Sequence, residues 1–173
     1  QPILERNIDR LSSFGITDYT LSVNYLGKKI EAFFGSGKDK GISIKYIYEK
    51  EKLGTIGSVG LINSFSNEDV LVMNSDLLTN LDYEDFYKEF KKSNAALAVA
   101  TIPYKVPVPY AVFEAKESRV LSLKEKPTYT YFSNAGIYLI KTKFLELIPS
   151  GVRFDATDLI ELMIKNGEFV FSY

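Results

Sequence analysis

Val70-Leu71-Val72-Met73-Asn74-Ser75-Asp76 is the stretch on which the fold turns. Four apolar residues in a row, two of them β-branched, predict a strand buried on both faces. The run stops in a polar cluster that closes with a carboxylate. In an open α/β sheet, ligands sit just beyond the carboxyl ends of the strands, and Asp76 falls at that position. A carboxylate there has two uses. It can ligate a hard cation such as Mg²⁺, which takes oxygen ligands and keeps company with phosphates, or it can cap the turn that follows.

The segments on either side set the rhythm. Upstream, Ile3 to Phe14 puts Leu4, Ile8 and Leu11 on one helical face and ends at Gly15. Tyr19 to Val23 and Ile42 to Tyr48 alternate as strands do, and Leu26 to Phe34 between them has a helical pattern. Gly54, Gly57 and Gly60 then recur at spacing three in Leu53-Gly54-Thr55-Ile56-Gly57-Ser58-Val59-Gly60, running into Leu61 to Phe65. Glycines so placed allow close approach, either of a ligand to the backbone or of one element to another. Thr55 is placed to cap a helix. The stretch is neither a dinucleotide fingerprint nor a P-loop.

Downstream, Asp82 caps a helix with Tyr83, Phe86, Tyr87 and Phe90 on one inward stripe, and Ala95 to Ile102 reads as a second buried strand. Helices and strands alternate up to this point, which argues a parallel, doubly wound sheet. After Pro103 the pattern changes. Val106 to Pro109 holds two prolines and predicts a loop. Ala111 to Ala115, Val120 to Lys124 and Phe132 to Ile140 read as strands without intervening helices, an antiparallel extension. Thr142 to Ile148 is a short helix. Asp155 or Thr157 caps a last helix carrying Leu159, Ile160, Met163 and Ile164, and Glu168 to Tyr173 begins a final strand.

Composition narrows the chemistry. At 173 residues the chain fits one domain. A net charge of −1 argues against a nucleic-acid surface. No apolar run approaches the ~20 residues that a bilayer span needs. The chain has no cysteine and no histidine, so thiolate metal sites, cysteine nucleophiles and a Ser-His-Asp triad are excluded. Absence of cysteine is compatible with a cytoplasmic location.

Eight pieces of the sequence, in order, resemble the sugar-phosphate nucleotidyltransferases, above all the mannose-1-phosphate guanylyltransferases and their glucose-1-phosphate relatives. They are Pro2-Ile3-Leu4-Glu5, Val23-Asn24-Tyr25-Leu26-Gly27, Leu53-Gly54-Thr55-Ile56-Gly57, Val72-Met73-Asn74-Ser75-Asp76-Leu77-Leu78, Pro109-Tyr110-Ala111-Val112, Glu125-Lys126-Pro127, Asn134-Ala135-Gly136-Ile137-Tyr138 and Phe154-Asp155-Ala156-Thr157-Asp158-Leu159. The resemblance implies a Rossmann-like three-layer α/β sandwich with a mostly parallel mixed sheet and an antiparallel extension. It also implies a cytoplasmic enzyme in which a sugar 1-phosphate attacks the α-phosphorus of a nucleoside triphosphate such as GTP, releasing pyrophosphate. A sugar phosphate is already ionised, so the step needs no general base, and catalysis is positioning and charge stabilisation around Mg²⁺.

By the same resemblance Asp76 is a catalytic Mg²⁺ ligand, and Leu53, Gly54, Thr55 and Gly57 form the nucleobase edge. Glu125 accepts from sugar hydroxyls, catalytic Lys126 meets the sugar phosphate, and Tyr110, Ala111 and Asn134 complete the sugar-phosphate side. Asp158 matches too, although helix capping accounts for it. These places are expected to line one common hollow. Two motif positions depart from the family: Ser75 and Ala111 stand where glycine is usual, and could demand an angle that glycine alone tolerates well. The resemblance further implies that residues 1–173 are a single domain and a fragment. An opening strand with a glycine-rich triphosphate loop would precede it and a second metal aspartate would follow. A missing mid-sheet strand leaves edges that invite self-association into a homo-oligomer. A non-catalytic nucleotide or nucleotide-sugar binding module is the alternative.

Overall fold

In the computed structural model, which describes residues 1–173, a two-stranded and a four-stranded sheet pack together around one helix, with Ile16 and Tyr19 also in the contact. Helix α1 (Ile3–Ser13) buries Ile8 against Ile42 and Ile44, and buries Leu11 against a second cluster around Phe86 and Phe90. The first cluster backs a two-stranded parallel sheet of β1 (Asp18–Val23) and β2 (Ser43–Tyr48), joined by helix α2 (Gly27–Phe34). The second cluster belongs to a four-stranded sheet. Its strands are β3 (Asp69–Met73), β4 (Leu97–Pro107), β7 (Thr128–Lys141) and β8 (Val170–Ser172), in the order β3-β7-β4-β8. Between β4 and β7 the chain makes a separate hairpin, β5 (Val112–Lys116) and β6 (Arg119–Lys124). Its two-residue turn, Glu117-Ser118, has both φ angles positive, as a tight hairpin requires.

Parallel pairing (β1 with β2, β4 with β8) and antiparallel pairing (β7 with both β3 and β4) coexist, so the fold is mixed α/β, as the sequence implies, but the antiparallel β7 sits inside the sheet between β3 and β4, and only its N-terminal half extends beyond it with β4. Helix α3 (Tyr83–Ser93) seals one face with Tyr83, Phe86 and Phe90. Helix α4 (Ala156–Lys165) seals the other with Leu159 and Met163, both fully buried among Ile56, Leu97 and Ile140. The Asp82 side chain accepts from the Asp85 N–H at 3.0 Å, and Asp158 accepts from the Asp155 N–H at 2.8 Å, so both predicted helix starts are real.

Four local expectations are corrected. First, β3 is half-buried along its whole length instead of enclosed on both faces, because it is an edge strand bonded only to β7. Second, Tyr87 leaves the inward stripe, and its hydroxyl reaches Asp69 at 3.1 Å near the surface. Third, the helical turn after Gly57 is a 3₁₀ segment that stops at Leu61, short of Phe65. Fourth, β4 runs through Pro103 to Pro107, where the prolines predict a break and a loop.

The hydrogen bonds explain why the prolines are tolerated. Val108 N–H donates to Pro127 at 2.9 Å, and Thr101 N–H donates to Tyr173, on the opposite side, at 2.8 Å. Alternation along an antiparallel ladder then turns Thr101, Pro103, Lys105 and Pro107 away from β7. Neither proline sits where a bond to β7 is owed.

At the other end of the sheet, the Tyr173 hydroxyl donates to Asp85 and its ring stacks on Phe86, 5.0 Å between centroids. The hydrogen bond to the Asp85 carboxylate pushes the Tyr173 phenol up to about 12, from 10.0. A phenol held protonated by the fold contributes stability in full below its unfolded value of about 10, and loses it as pH rises toward 12. Urea unfolding of the protein and of Asp85→Asn should therefore differ by a constant amount up to pH 10, with the difference vanishing between pH 10 and 12.

Candidate functional site

The Leu53–Gly57 turn is built by the chain one hundred residues later. Phe154 N–H donates to Leu53 at 2.9 Å, and the Phe154 carbonyl accepts from Ile56 (3.2 Å) and Gly57 (3.0 Å). Two side chains reciprocate: Thr55 N–H donates to Asp155 Oδ1 at 2.9 Å, while Thr55 Oγ1 accepts from Ala156 N–H at 2.8 Å. Thr55 therefore caps the first turn of α4 and not a helix of its own. The glycines serve this contact. A Cβ on Gly54 would stand 2.6 Å from the Phe154 oxygen and from Asp155 Oδ1. One on Gly57 would stand 2.8 Å from the Val152 oxygen, and one on Gly60 2.9 Å from the Pro149 oxygen. Of the two uses that the spacing allowed, the close approach of one segment to another is what the structure makes of these glycines.

This junction forms one wall of a hollow of about 320 Å³. Asn74, at the end of β3, forms the next wall, and Asn134, Gly136 and Tyr138 on β7 form the third. A register shift between β4 and β7 opens at this point, with Gly136 at φ +73°. Gly136 accepts from Asn74 N–H at 3.0 Å, and the Asn74 amide leaves no room for a Cβ there. Asn134 accepts from Gly136 N–H (2.8 Å) and donates to the Tyr138 hydroxyl (2.8 Å). Burial pushes the Tyr138 phenol pKa up, with the Asn134 hydrogen bond working in the other direction.

Asp76 stands two residues past Asn74, in an exposed turn at the mouth of the β3 end. That turn is held from below: Asn7, buried on α1, donates to the Ser75 carbonyl at 3.0 Å. Neither Ser75 nor Ala111 takes a positive φ, so neither is strained by lacking glycine's freedom. No three acidic residues gather into a metal cage. One exposed carboxylate fits a Mg²⁺ ion that keeps its waters and draws its remaining ligands from phosphates.

The expected constellation is thus gathered in part. Thr55 and Asn134 line the hollow; Leu53, Gly54 and Gly57 stand behind Thr55 in the turn, and Asp76 lies outside the lining, next to Leu77, which is part of it. Tyr110, Ala111, Glu125 and Lys126 do not line it. They sit at the far end of the β4–β7 ribbon beside the Val108–Pro127 hydrogen bond, with the six-residue span from Thr128 to Asn134 covering about 20 Å of strand. Leu53 is buried, and the N–H groups of Leu53, Thr55, Ile56 and Gly57 are all spent on the chain's own acceptors. Sequence reasoning passed over Asn7, Asn74 and Tyr138 and left Asp155 as a helix cap alone. Asn7 had a signal, a polar residue on the apolar face between Leu4 and Ile8. The Asp155 contact to Thr55 had none.

Lys126 carries a different mark. Its φ is +42° although it is neither glycine nor asparagine, and Pro127 follows it. A β-carbon in that region costs about 1–2 kcal/mol, and such strain clusters at working positions.

With this geometry in place, the family follows. The model of the nucleotidyl transferase family matches residues 1–172, and the chain belongs to that family. Among curated relatives, a UTP–glucose-1-phosphate uridylyltransferase of Synechocystis is 25% identical, with 96% of this chain and 48% of the relative aligned. Mannose-1-phosphate guanyltransferase beta-B of Xenopus laevis is 26% identical over 97% and 49%. A D-glycero-alpha-D-manno-heptose 1-phosphate guanylyltransferase of Aneurinibacillus thermoaerophilus is 30% identical over 84% and 64%. The chain spans about half to two-thirds of the length of these relatives. Among solved structures, HddC from Yersinia pseudotuberculosis superposes with a TM-score of 0.73 at 22% identity, covering 100% of this chain and 76% of that one, and so shares the fold.

Two substitutions probe the site directly. Gly54→Ala combines φ +82° with two contacts of 2.6 Å, and should cost about 1–3 kcal/mol in urea unfolding. Lys126→Gly removes backbone strain and should raise stability by about 1 kcal/mol while removing the ammonium.

Proposed function

We propose that this chain is the core of a sugar-1-phosphate nucleotidyltransferase that joins a nucleoside monophosphate unit to a sugar 1-phosphate and releases pyrophosphate, with GTP and mannose 1-phosphate as the pair. The observation that carries the reading is the hollow at the carboxyl end of β3, where the Thr55 turn, Asn74 and Asn134 converge beside Asp76. Two of the three curated relatives described are guanylyltransferases by name, and the HddC fold has also been solved in complex with GMP-PN.

In this reading Asp76 holds Mg²⁺, which supplies charge neutralisation on the phosphates. The turn at Leu53–Gly57 takes the base at its outer face. With its N–H groups already committed, that turn contributes shape and carbonyl acceptors, including those of Gly54 and Thr55. Glu125 and Lys126 take the sugar hydroxyls and phosphate with Tyr110 and Ala111 beside them, and the reading requires the two-stranded ribbon to fold over so that these residues meet Asn134 and the nucleotide at the hollow. A carboxylate accepts from vicinal hydroxyls, and an ammonium is a compact charge for a phosphate.

We further propose that neighbouring segments of a longer protein complete the domain. The β1–β2 sheet and β3 each keep a free edge and share no ladder, which is the place for one more strand and its triphosphate loop.

Pyrophosphate release is the test. The full-length protein, given GTP, UTP or dTTP with mannose or glucose 1-phosphate, should turn over fastest with GTP and mannose 1-phosphate, and Asp76→Asn should lower that rate ~100-fold or more. Residues 1–173 alone should show little turnover. Calorimetric binding of a nucleotide-sugar by a full-length protein that releases no pyrophosphate would instead establish the binding-module alternative.

A further inference from the structure

Between β3 and α3 the chain runs from Asn74 to Asp82 as neither helix nor strand. The part that carries Asp76 has no ladder to hold it. Asn74 N–H still reaches Gly136, and Phe86 N–H returns to Asp82, but Ser75 to Leu81 make no hydrogen bond to other backbone groups. Inside the segment, Leu81 N–H donates to Thr79 Oγ1 at 3.0 Å. A carboxylate on such a segment keeps one direction only if something outside takes hold of the backbone.

Helix α1 takes hold at both ends. The Asn7 amide donates to the Ser75 carbonyl at 3.0 Å, and the Arg10 guanidinium donates to the Leu81 carbonyl at 2.7 Å. These two are the hydrogen bonds that tie residues 75–81 to the rest of the chain. The donors stand three residues apart, so they share one face of the helix. Asn7 is 6% exposed, and the other buried residues of α1 are Ile8 and Leu11. A polar group in that company is costly unless it is bonded. The Arg10 guanidinium lies 5.9 Å from the Phe14 ring centre, and Phe14 meets Tyr83, the first residue of α3, edge-on at 5.6 Å. The arginine is braced before it reaches the loop.

The atoms gripped are the ones that matter. A peptide unit is planar, so the Ser75 oxygen and the Asp76 nitrogen move as one body. Holding that oxygen fixes the plane from which Asp76 projects its carboxylate. Holding the Leu81 oxygen fixes the plane that enters Asp82, the cap of α3. Between the two grips, Leu77 and Leu81 pack on the Phe86–Phe90 cluster. We infer that Asn7 and Arg10 are positioning residues for Asp76, and that together they fix the direction in which its carboxylate meets Mg²⁺. The inference rests on the reading of Asp76 as the ligand of that ion. A ligand group already ordered binds more tightly than one that must be ordered on binding.

Two readouts on the full-length protein test it. One is hydrogen–deuterium exchange of residues 74–82. The other is the Mg²⁺ concentration for half-maximal pyrophosphate release from GTP and mannose 1-phosphate. Asn7→Leu keeps the branched shape and removes the donor. Losing that buried hydrogen bond should speed exchange over 75–82 roughly tenfold and raise the Mg²⁺ requirement about fivefold or more, with KM for mannose 1-phosphate within about twofold of the parent. Arg10→Met should do the same from the other end. Arg10→Lys should recover most of the loss, because an ammonium still donates to the Leu81 carbonyl. Ile140→Val controls for destabilisation alone: Ile140 lies in the cluster around α4, apart from α1, so urea stability should fall while both readouts stay parental. Parental exchange and Mg²⁺ requirement in Asn7→Leu and Arg10→Met overturn the inference, and so does an equal shift in Ile140→Val. If Asp76→Asn leaves the Mg²⁺ requirement unchanged, the ion-holding reading falls and the orienting role falls with it, while the exchange rates still decide whether α1 grips the loop.

Discussion

The candidate site depends on one contact between main chains. Phe154 gives its N–H to Leu53 and takes two N–H groups back, so a turn and a helix entry far apart in sequence are locked in one orientation. Such a contact needs the backbones closer than any Cβ permits, which is the physical reason for Gly54, Gly57 and Gly60. The helix gains its cap from the turn, and the turn gains its shape from the helix. Neither half of this wall of the hollow is formed without the other.

The second organising element is β7. Its C-terminal half is buried and bonded on both edges, and its N-terminal half is exposed and bonded on one. Gly136 marks the change, where the register slips and Asn134 folds back to bond the Gly136 N–H. A single strand thus lays down part of the core, one wall of the hollow, and the stalk that carries the sugar-phosphate motif. The hollow lies where these roles meet, at the irregularity.

Much of this was legible in the sequence. Periodicity and capping residues located the helices, because an amphipathic stripe and a side-chain cap are local properties. The Val72–Asp76 and Asn134–Tyr138 motifs located the hollow. What stayed hidden was non-local. Nothing in Ile102-Pro103-Tyr104 tells which way an amide points until its partner strand is known, so the prolines predict a break that the sheet does not have. The run Val70–Met73 is equally apolar at a sheet's centre or its edge, and pairing alone decides. Glycines at spacing three announce close approach but not the partner, and the partner lay at Ile148–Asp155. The distance between Lys126 and the hollow likewise depends on how far a ribbon extends from its core.

Helix α1 contacts both hydrophobic clusters, and its Asn7 reaches across to the Ser75 carbonyl. No strand ladder joins the two sheets. The β1–β2 layer is therefore held to the rest by side chains alone, those of α1 together with Ile16 and Tyr19, which also reach the second cluster. A change that loosens α1 acts on this seam and, through the Asn7–Ser75 hydrogen bond, on the turn that presents Asp76. Packing behind the site and carboxylate position in front of it thus share one helix.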